Sequence, residues 1–243
     1  MDTLRSNWPY MLIPVAVTIA GGLIASTIRL APAVRSTIQH FTAGVVFAAI
    51  AGEVIPDVVH RDKPFATVIG FAVGVALMFG ISRASDALVD LAERPDGGRG
   101  FPAPLVAAVS IDGLVDGLVI GIGFTVGTTL GTLVTVALSL EMFFLGLSTA
   151  ATLRQTGSPP RLAVVITAAA ALMIAVGALL GVLVFGRLPS AGLAGVLAFG
   201  CASLLYLVTE ELLNEAHTVP ETRLMSSLFF GGFLTLLIIE MSL

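Results

Sequence analysis

The chain has 243 residues, of which 56% are hydrophobic and 12% charged, and its mean hydropathy is +1.01. A soluble globular domain carries about 25% charged residues, so this composition excludes one and implies an integral membrane protein. The formal net charge of −4 points to no nucleic-acid partner.

A spanning helix needs about 20 mostly apolar residues. Eight runs meet that requirement, at 8–28, 38–59, 64–82, 102–125, 130–153, 161–185, 191–213 and 222–242. The first follows Arg5 and is too long for the apolar part of a signal peptide; with no small-residue cleavage motif after it, it reads as a retained span. The third leads into the one long connection, "RASDALVDLAERPDGGRG" at 83–100. The first part of that connection is expected to extend the helix, with Ser85, Asp86, Asp90 and Glu93 on a wetted face, until Pro95 and the Gly97-Gly98 pair end it. The fourth run carries a glycine series at 113, 117, 121 and 123, read as close-packing positions. The seventh contains the single cysteine, Cys201, which excludes an intrachain disulfide and reads as a small core residue. The runs are continuous rather than alternating, so the fold class is all-α: one transmembrane domain over 1–243, with no β-barrel.

Lysines and arginines in the short loops set the orientation. One side holds Arg29, Arg35, Arg83, Arg94, Arg99, Arg154, Arg161 and Arg223, the other Arg5, Arg61, Lys63 and Arg187. Eight against four places both termini outside and the 83–100 loop in the cytoplasm. The expected location is the plasma membrane, or the inner membrane in a bacterium.

Acids within the runs carry the functional information. They are Glu53 and Asp57 in the second run, Asp112 and Asp116 in the fourth, Glu141 in the fifth, Glu210, Glu211 and Glu215 in the seventh, and Glu240 in the eighth. A carboxylate near the bilayer centre costs about 2.5 to 3.5 kcal/mol on insertion scales, and such residues normally mark a substrate or ion path. No lysine or arginine is expected deep enough to neutralise them. Three pairs, Glu53/Asp57, Asp112/Asp116 and Glu211/Glu215, are spaced i, i+4 and so share a helix face. Like charges at that spacing repel, more strongly at low dielectric. A divalent cation between them resolves both difficulties, because carboxylate oxygens are ligands for hard and borderline metals. The competing arrangement is a set of protonated carboxyls hydrogen-bonded between helices.

The chain resembles the ZIP family of divalent metal transporters over nearly its whole length. The second run, "AGVVFAAIAGEVIPDVV", is similar to the family's second helix. "DGLVDGL" resembles the fourth-helix motif His-Asn-x-Pro-Glu/Asp-Gly-Leu, with Asp112 at the His, Gly113 at the Asn, Val115 at the Pro and Asp116 at the acid. "EMFFLGL" resembles the fifth-helix motif, with Glu141 at the first ligand, Met142 at the second, Phe144 at the Pro and Leu145 at the acid. "LLYLVTEELLNEAH" resembles the acid-rich end of the seventh helix, with Asn214 in place of a usual proline. The resemblance implies eight helices in a 3+2+3 bundle with an inverted repeat, elevator-like transport toward the cytoplasm, and a site between helices four and five.

The expected metal ligands are accordingly Asp112, Asp116 and Glu141, joined by Glu53, Glu210 and Glu211. All are oxygen donors, which suit Mn²⁺, Fe²⁺ or Mg²⁺ at least as well as Zn²⁺. The metal is expected as transported substrate and no cofactor is expected. The lipid bilayer is the other partner, and a homodimer stays open. Two further readings remain at this stage, a proton- or sodium-coupled carrier of another small solute and an intramembrane hydrolase; for the second, no nucleophile or histidine stands beside the acids.

Overall fold

The computed structural model describes residues 2–27, 31–92, 103–220 and 222–242. Among these, eight helices are long and apolar enough to cross a membrane, and the chain is a multi-pass membrane protein. We label them α1 (Asp2–Ala25), α2 (Pro32–His60), α3 (Pro64–Ala92), α4 (Ala103–Val126), α5 (Thr128–Gln155), α6 (Pro160–Phe185), α7 (Ser190–Ala216) and α8 (Arg223–Glu240). Prolines open several of them: Pro32, Pro64 and Pro160 stand at the first helical turn, where a missing N–H costs nothing. The Thr222 hydroxyl caps α8 by accepting from the Met225 N–H. The backbone of α3 runs on to Ala92, as the sequence leads one to expect. The side chains of Asp86 and Asp90, and all of Glu93, Pro95 and the Gly97-Gly98 pair, lie outside the described residues.

Two helices change gauge part-way. Ile50–Val54 of α2 and Leu207–Leu212 of α7 are π-helical turns, each with α-helix on both sides. In α2 the turn leads directly to Pro56, whose ring cannot sit in a regular α ladder without displacing the preceding carbonyl. The wider turn accommodates it. Both π turns carry acids, Glu53 in one and Glu210 and Glu211 in the other. Such turns are frequent at functional sites.

The helices pack most extensively as α4 on α6, α1 on α5, α2 on α8 and α3 on α7. Glycines determine all four contacts. A Cβ at Gly117 would run into the Ile174 carbonyl, and one at Gly177 into that of Leu114; Gly146 stands in the same relation to Thr18, Gly44 to Phe229 and Gly70 to Gly195. Between lipid-exposed helices there is no hydrophobic drive to associate, so backbone approach through small residues supplies the attraction.

These pairs join into two groups. Helices α1, α4, α5 and α6 contact one another, and α2 packs on α7 to unite the pairs α2/α8 and α3/α7. Contacts between the groups are less extensive, with α2 against α5 and α3 and α7 against α4. They also differ in kind. Where Gly200 of α7 faces α4, a Cβ would meet Val119 at an ordinary 3.5 Å, and the shared core there is aliphatic, with Val46, Ile50, Val119, Ile120, Leu138 and Met142 all buried. The pairing pattern maps onto itself when α1, α2, α3 and α4 are exchanged with α6, α7, α8 and α5. Under the same exchange one π turn falls on the other.

The close contacts make a direct prediction. Gly117→Val should abolish folded yield or lower the thermal midpoint sharply, since overpacking against backbone cannot be relieved by a rotamer change. Gly80→Ala, where nothing lies within 4 Å of the added carbon, should leave both unchanged. Size-exclusion profiles and thermal scans of the two variants in detergent decide the matter.

Candidate metal centre

The middles of α4 and α5 meet through three carboxylates. Each of Asp112, Asp116 and Glu141 offers an oxygen, and these oxygens lie within 4.8 Å of one another. Asp112 and Asp116 are one turn apart on α4 and share a face. The glycine stripe at 113, 117 and 121 lies about 100° further round that helix and is taken up by α6. Seating the glycines therefore turns the aspartates toward α5.

Asp116 and Glu141 are each 5% exposed, and Asp112 is half-buried. Asp116 Oδ2 and Glu141 Oε2 have no hydrogen-bond partner among the described residues. Carboxyls hydrogen-bonded between helices are thus not what these two oxygens show. At 4.8 Å an ionised pair repels by roughly 3 kcal/mol at an effective dielectric of about 20. Burial adds several kcal/mol per uncompensated ion. A cation placed among the three oxygens removes both terms.

Asp112 also forms the inner wall of a cavity of about 450 Å³, lined by Ile81 and Ser82 of α3, Leu145 of α5, and Tyr206, Glu210, Glu211 and Asn214 of α7. The cavity occupies the half of the bundle where α3 and α7 end and α4 begins. The Glu211 carboxylate is close enough to interact electrostatically with Asp112, Asp116 and Glu141. Glu210 lines the same cavity and is exposed. Leu145, one turn beyond Glu141, faces this cavity rather than lipid.

Glu53 is placed elsewhere. Its acidic neighbours are Glu240 of α8 and Asp57, and the Glu240 carboxylate rests against Gly52. Packing of α2 on α8 holds it there, apart from the group around Asp116. Two other acids do have basic partners, contrary to the expectation that none is neutralised. Glu215 forms an ion pair with Arg35 of α2, and Asp57 accepts from Arg61 Nε at 2.8 Å. Arg35 lies 180 residues from Glu215, so linear spacing could not reveal the pair. Arg35 Nη2 also donates to Ser148 Oγ at 2.8 Å, which joins the two helix groups at the end of the bundle that holds the cavity.

A family model for ZIP zinc transporters matches residues 103–240. The chain belongs to the ZIP zinc transporter family. A search of curated proteins finds no match to it. The ZIP match spans α4 to α8 and so includes Asp112, Asp116, Glu141, Glu210 and Glu211, while Glu53 lies before it. Membership makes divalent metal transport the general activity of this ZIP protein, and the metal its substrate rather than a resident cofactor.

If mutual repulsion dominates the empty cluster, Asp116→Asn should raise the thermal midpoint in chelator by roughly 2–4 °C. The same change should largely remove the stabilisation that Mn²⁺ or Zn²⁺ gives the unmodified ZIP protein. Thermal scans with and without metal check both signs, and an undiminished metal response in the variant would refute a shared site.

Proposed function

We propose that this protein carries divalent cations of the zinc, iron or manganese class toward the cytoplasm, through a carboxylate site between α4 and α5 formed by Asp112, Asp116 and Glu141, with Glu210 and Glu211 along the cavity beside it. The observation that carries the reading is the convergence of three carboxylates, two of them buried with unpartnered oxygens and the third, Asp112, at the wall of a cavity that occupies one half of the bundle. The donor set is all oxygen, so Mn²⁺ and Fe²⁺ fit it at least as well as Zn²⁺.

An elevator mechanism is supported by how the contacts are distributed. Asp112, Asp116 and Glu141 all sit on the α1/α4/α5/α6 group, which glycine contacts hold together as one body. Apart from the Arg35–Ser148 bond and the cavity beside Asp112, the boundary with the other group is aliphatic, and among the described residues no glycine there meets the backbone of the other group, so one body can shift against the other without unpacking. The symmetric pairing is what an inverted 3+2+3 repeat would produce, with the site near the midplane as in other repeat-built carriers. Loop charges favour both termini outside, which makes the cavity beside Asp112 open toward the cytoplasm in this conformation.

Uptake into proteoliposomes tests the site. With Zn²⁺, Mn²⁺, Fe²⁺ and Cd²⁺ compared, Ala at position 112, 116 or 141 should lower initial uptake at least about tenfold, the loss of some 1.4 kcal/mol of ion interaction. Asp62→Ala, in the exposed connection between α2 and α3, should leave it unchanged. Equal losses from both classes, or solute uptake driven by H⁺ or Na⁺ with no divalent ion needed, would exclude the site.

Sidedness and motion are tested together by thiol chemistry in a Cys201→Ser background. Asp2→Cys should react with an impermeant reagent only from outside, and Ser82→Cys only from the cytoplasm. Bridging Arg35→Cys to Ser148→Cys with a short bifunctional reagent should stop uptake and leave Ser82→Cys reactive. Undiminished uptake in the bridged protein would refute the elevator, and the reverse labelling pattern would refute the orientation.

A further inference from the structure

A buried hydroxyl on the opposite helix group is without a protein partner. Thr42 of α2 is 0% exposed, and its Oγ1 has no hydrogen-bond partner among the described residues. Three other buried helical threonines behave differently. Thr18, Thr135 and Thr167 each donate to the carbonyl four residues back, at 2.6 to 2.9 Å, as do Ser110 and Ser139. That local bond is available to any helical threonine. Leaving a buried hydroxyl unpaired is unfavourable, so its orientation needs a cause.

The register between α2 and α5 indicates where it points. Arg35 of α2 bonds to Ser148 of α5, and α2 packs on α5. Thr42 stands seven residues after Arg35, and Glu141 seven before Ser148. Two helical turns bring a residue back to the same face within about 20°, and both intervals are regular α-helix, ahead of the π turn at Ile50. The two helices run in opposite senses across the bundle, since three crossings separate the ends of α2 and α5. Moving two turns along each from the Arg35–Ser148 contact therefore brings Thr42 opposite Glu141, whose Oε2 is likewise unpartnered.

We propose that the Thr42 hydroxyl is a further donor of the ion site, contributed by the opposite helix group and adding a neutral oxygen to the three carboxylates. The assignment rests on the carboxylate site proposed above. It makes the site a joint product of both groups in this conformation, with the charged donors on one body and a neutral one on the other. A neutral oxygen adds coordination without adding to the repulsion among Asp112, Asp116 and Glu141, and it favours hard cations.

The test is calorimetric titration of the purified full-length protein with Mn²⁺ and with Zn²⁺, together with thermal scans in chelator. Thr42→Val keeps the shape and removes the hydroxyl. It should weaken Mn²⁺ binding roughly tenfold, about the worth of one direct contact, and raise the metal-free midpoint because the orphaned polar group is gone. Thr42→Ser should bind within about twofold of the unmodified protein. If Thr42→Val does not fold, Thr42→Ala, which cannot clash, gives the same affinity comparison. Unchanged affinity in the hydroxyl-free variant overturns the assignment of Thr42 while the carboxylate site stands. A lowered metal-free midpoint with unchanged affinity assigns the hydroxyl a structural role and overturns it as well. Absence of both Mn²⁺ and Zn²⁺ binding in the unmodified protein overturns the carboxylate site and the Thr42 assignment together.

Discussion

Three carboxylates held within 4.8 Å of one another in the middle of an apolar bundle set the terms for the rest of the structure. The arrangement is unfavourable for the bare protein on two counts, desolvation and mutual repulsion. The remaining contacts must hold it in place regardless. They do so from outside the site: the glycines of α4 lock against the backbone of α6, and the aspartates of the adjoining face have nowhere else to point. Metal affinity and helix packing are thus two sides of one balance, in which packing holds the donors at a spacing they would not choose.

Attraction between the helices is likewise unevenly distributed. Where backbone meets backbone at a glycine, separation would forfeit many close contacts at once, and the partners behave as a unit. Where valine, leucine and isoleucine meet across the two groups, each contact is weak and replaceable by another of the same kind. The polar contact between Arg35 and Ser148 is therefore conspicuous, a directional bond across a boundary made largely of non-directional contacts. Arg35 is at the same time neutralised by Glu215 of its own group, so the bond to Ser148 can break without stranding a charge.

Much of this was legible in the sequence. Continuous apolar runs locate all eight helices, because in a bilayer helix length is set by thickness and by backbone satisfaction, although α1 and α2 begin six residues before their runs and α3 ends ten residues after its run. Asp112, Asp116 and Glu141 stand out because acids are costly at that depth, and i, i+4 spacing gives their common face. What stayed hidden depends on tertiary contact. Arg35 looks like a loop residue at a helix start, and only the fold carries it to Glu215. Glu53 looks equivalent to the central acids, and only the packing of α2 on α8 sets it beside Glu240. Thr42 resembles any helical threonine until its missing hydrogen bond is seen. The π turns have a local cause in α2, at Pro56, but α7 forms its own without a proline.

Helix lengths have a consequence for the membrane itself. α2 and α3 have 29 residues each and α5 28, while α8 has 18. At 1.5 Å per residue these span about 43, 42 and 27 Å, against a hydrocarbon layer of about 30 Å. Helices of that length must tilt or project into the headgroup layer, and Arg35 and Arg154 are found at such ends of α2 and α5. The short peripheral helix α8 can barely reach across. A bilayer that thickens or thins therefore pulls on α8 differently from the long helices, both from α2 within its own group and from α5 in the other. Acyl-chain length thereby acts as a mechanical load on the contacts of α8, and turnover measured across a series of lipid chain lengths reads that load directly.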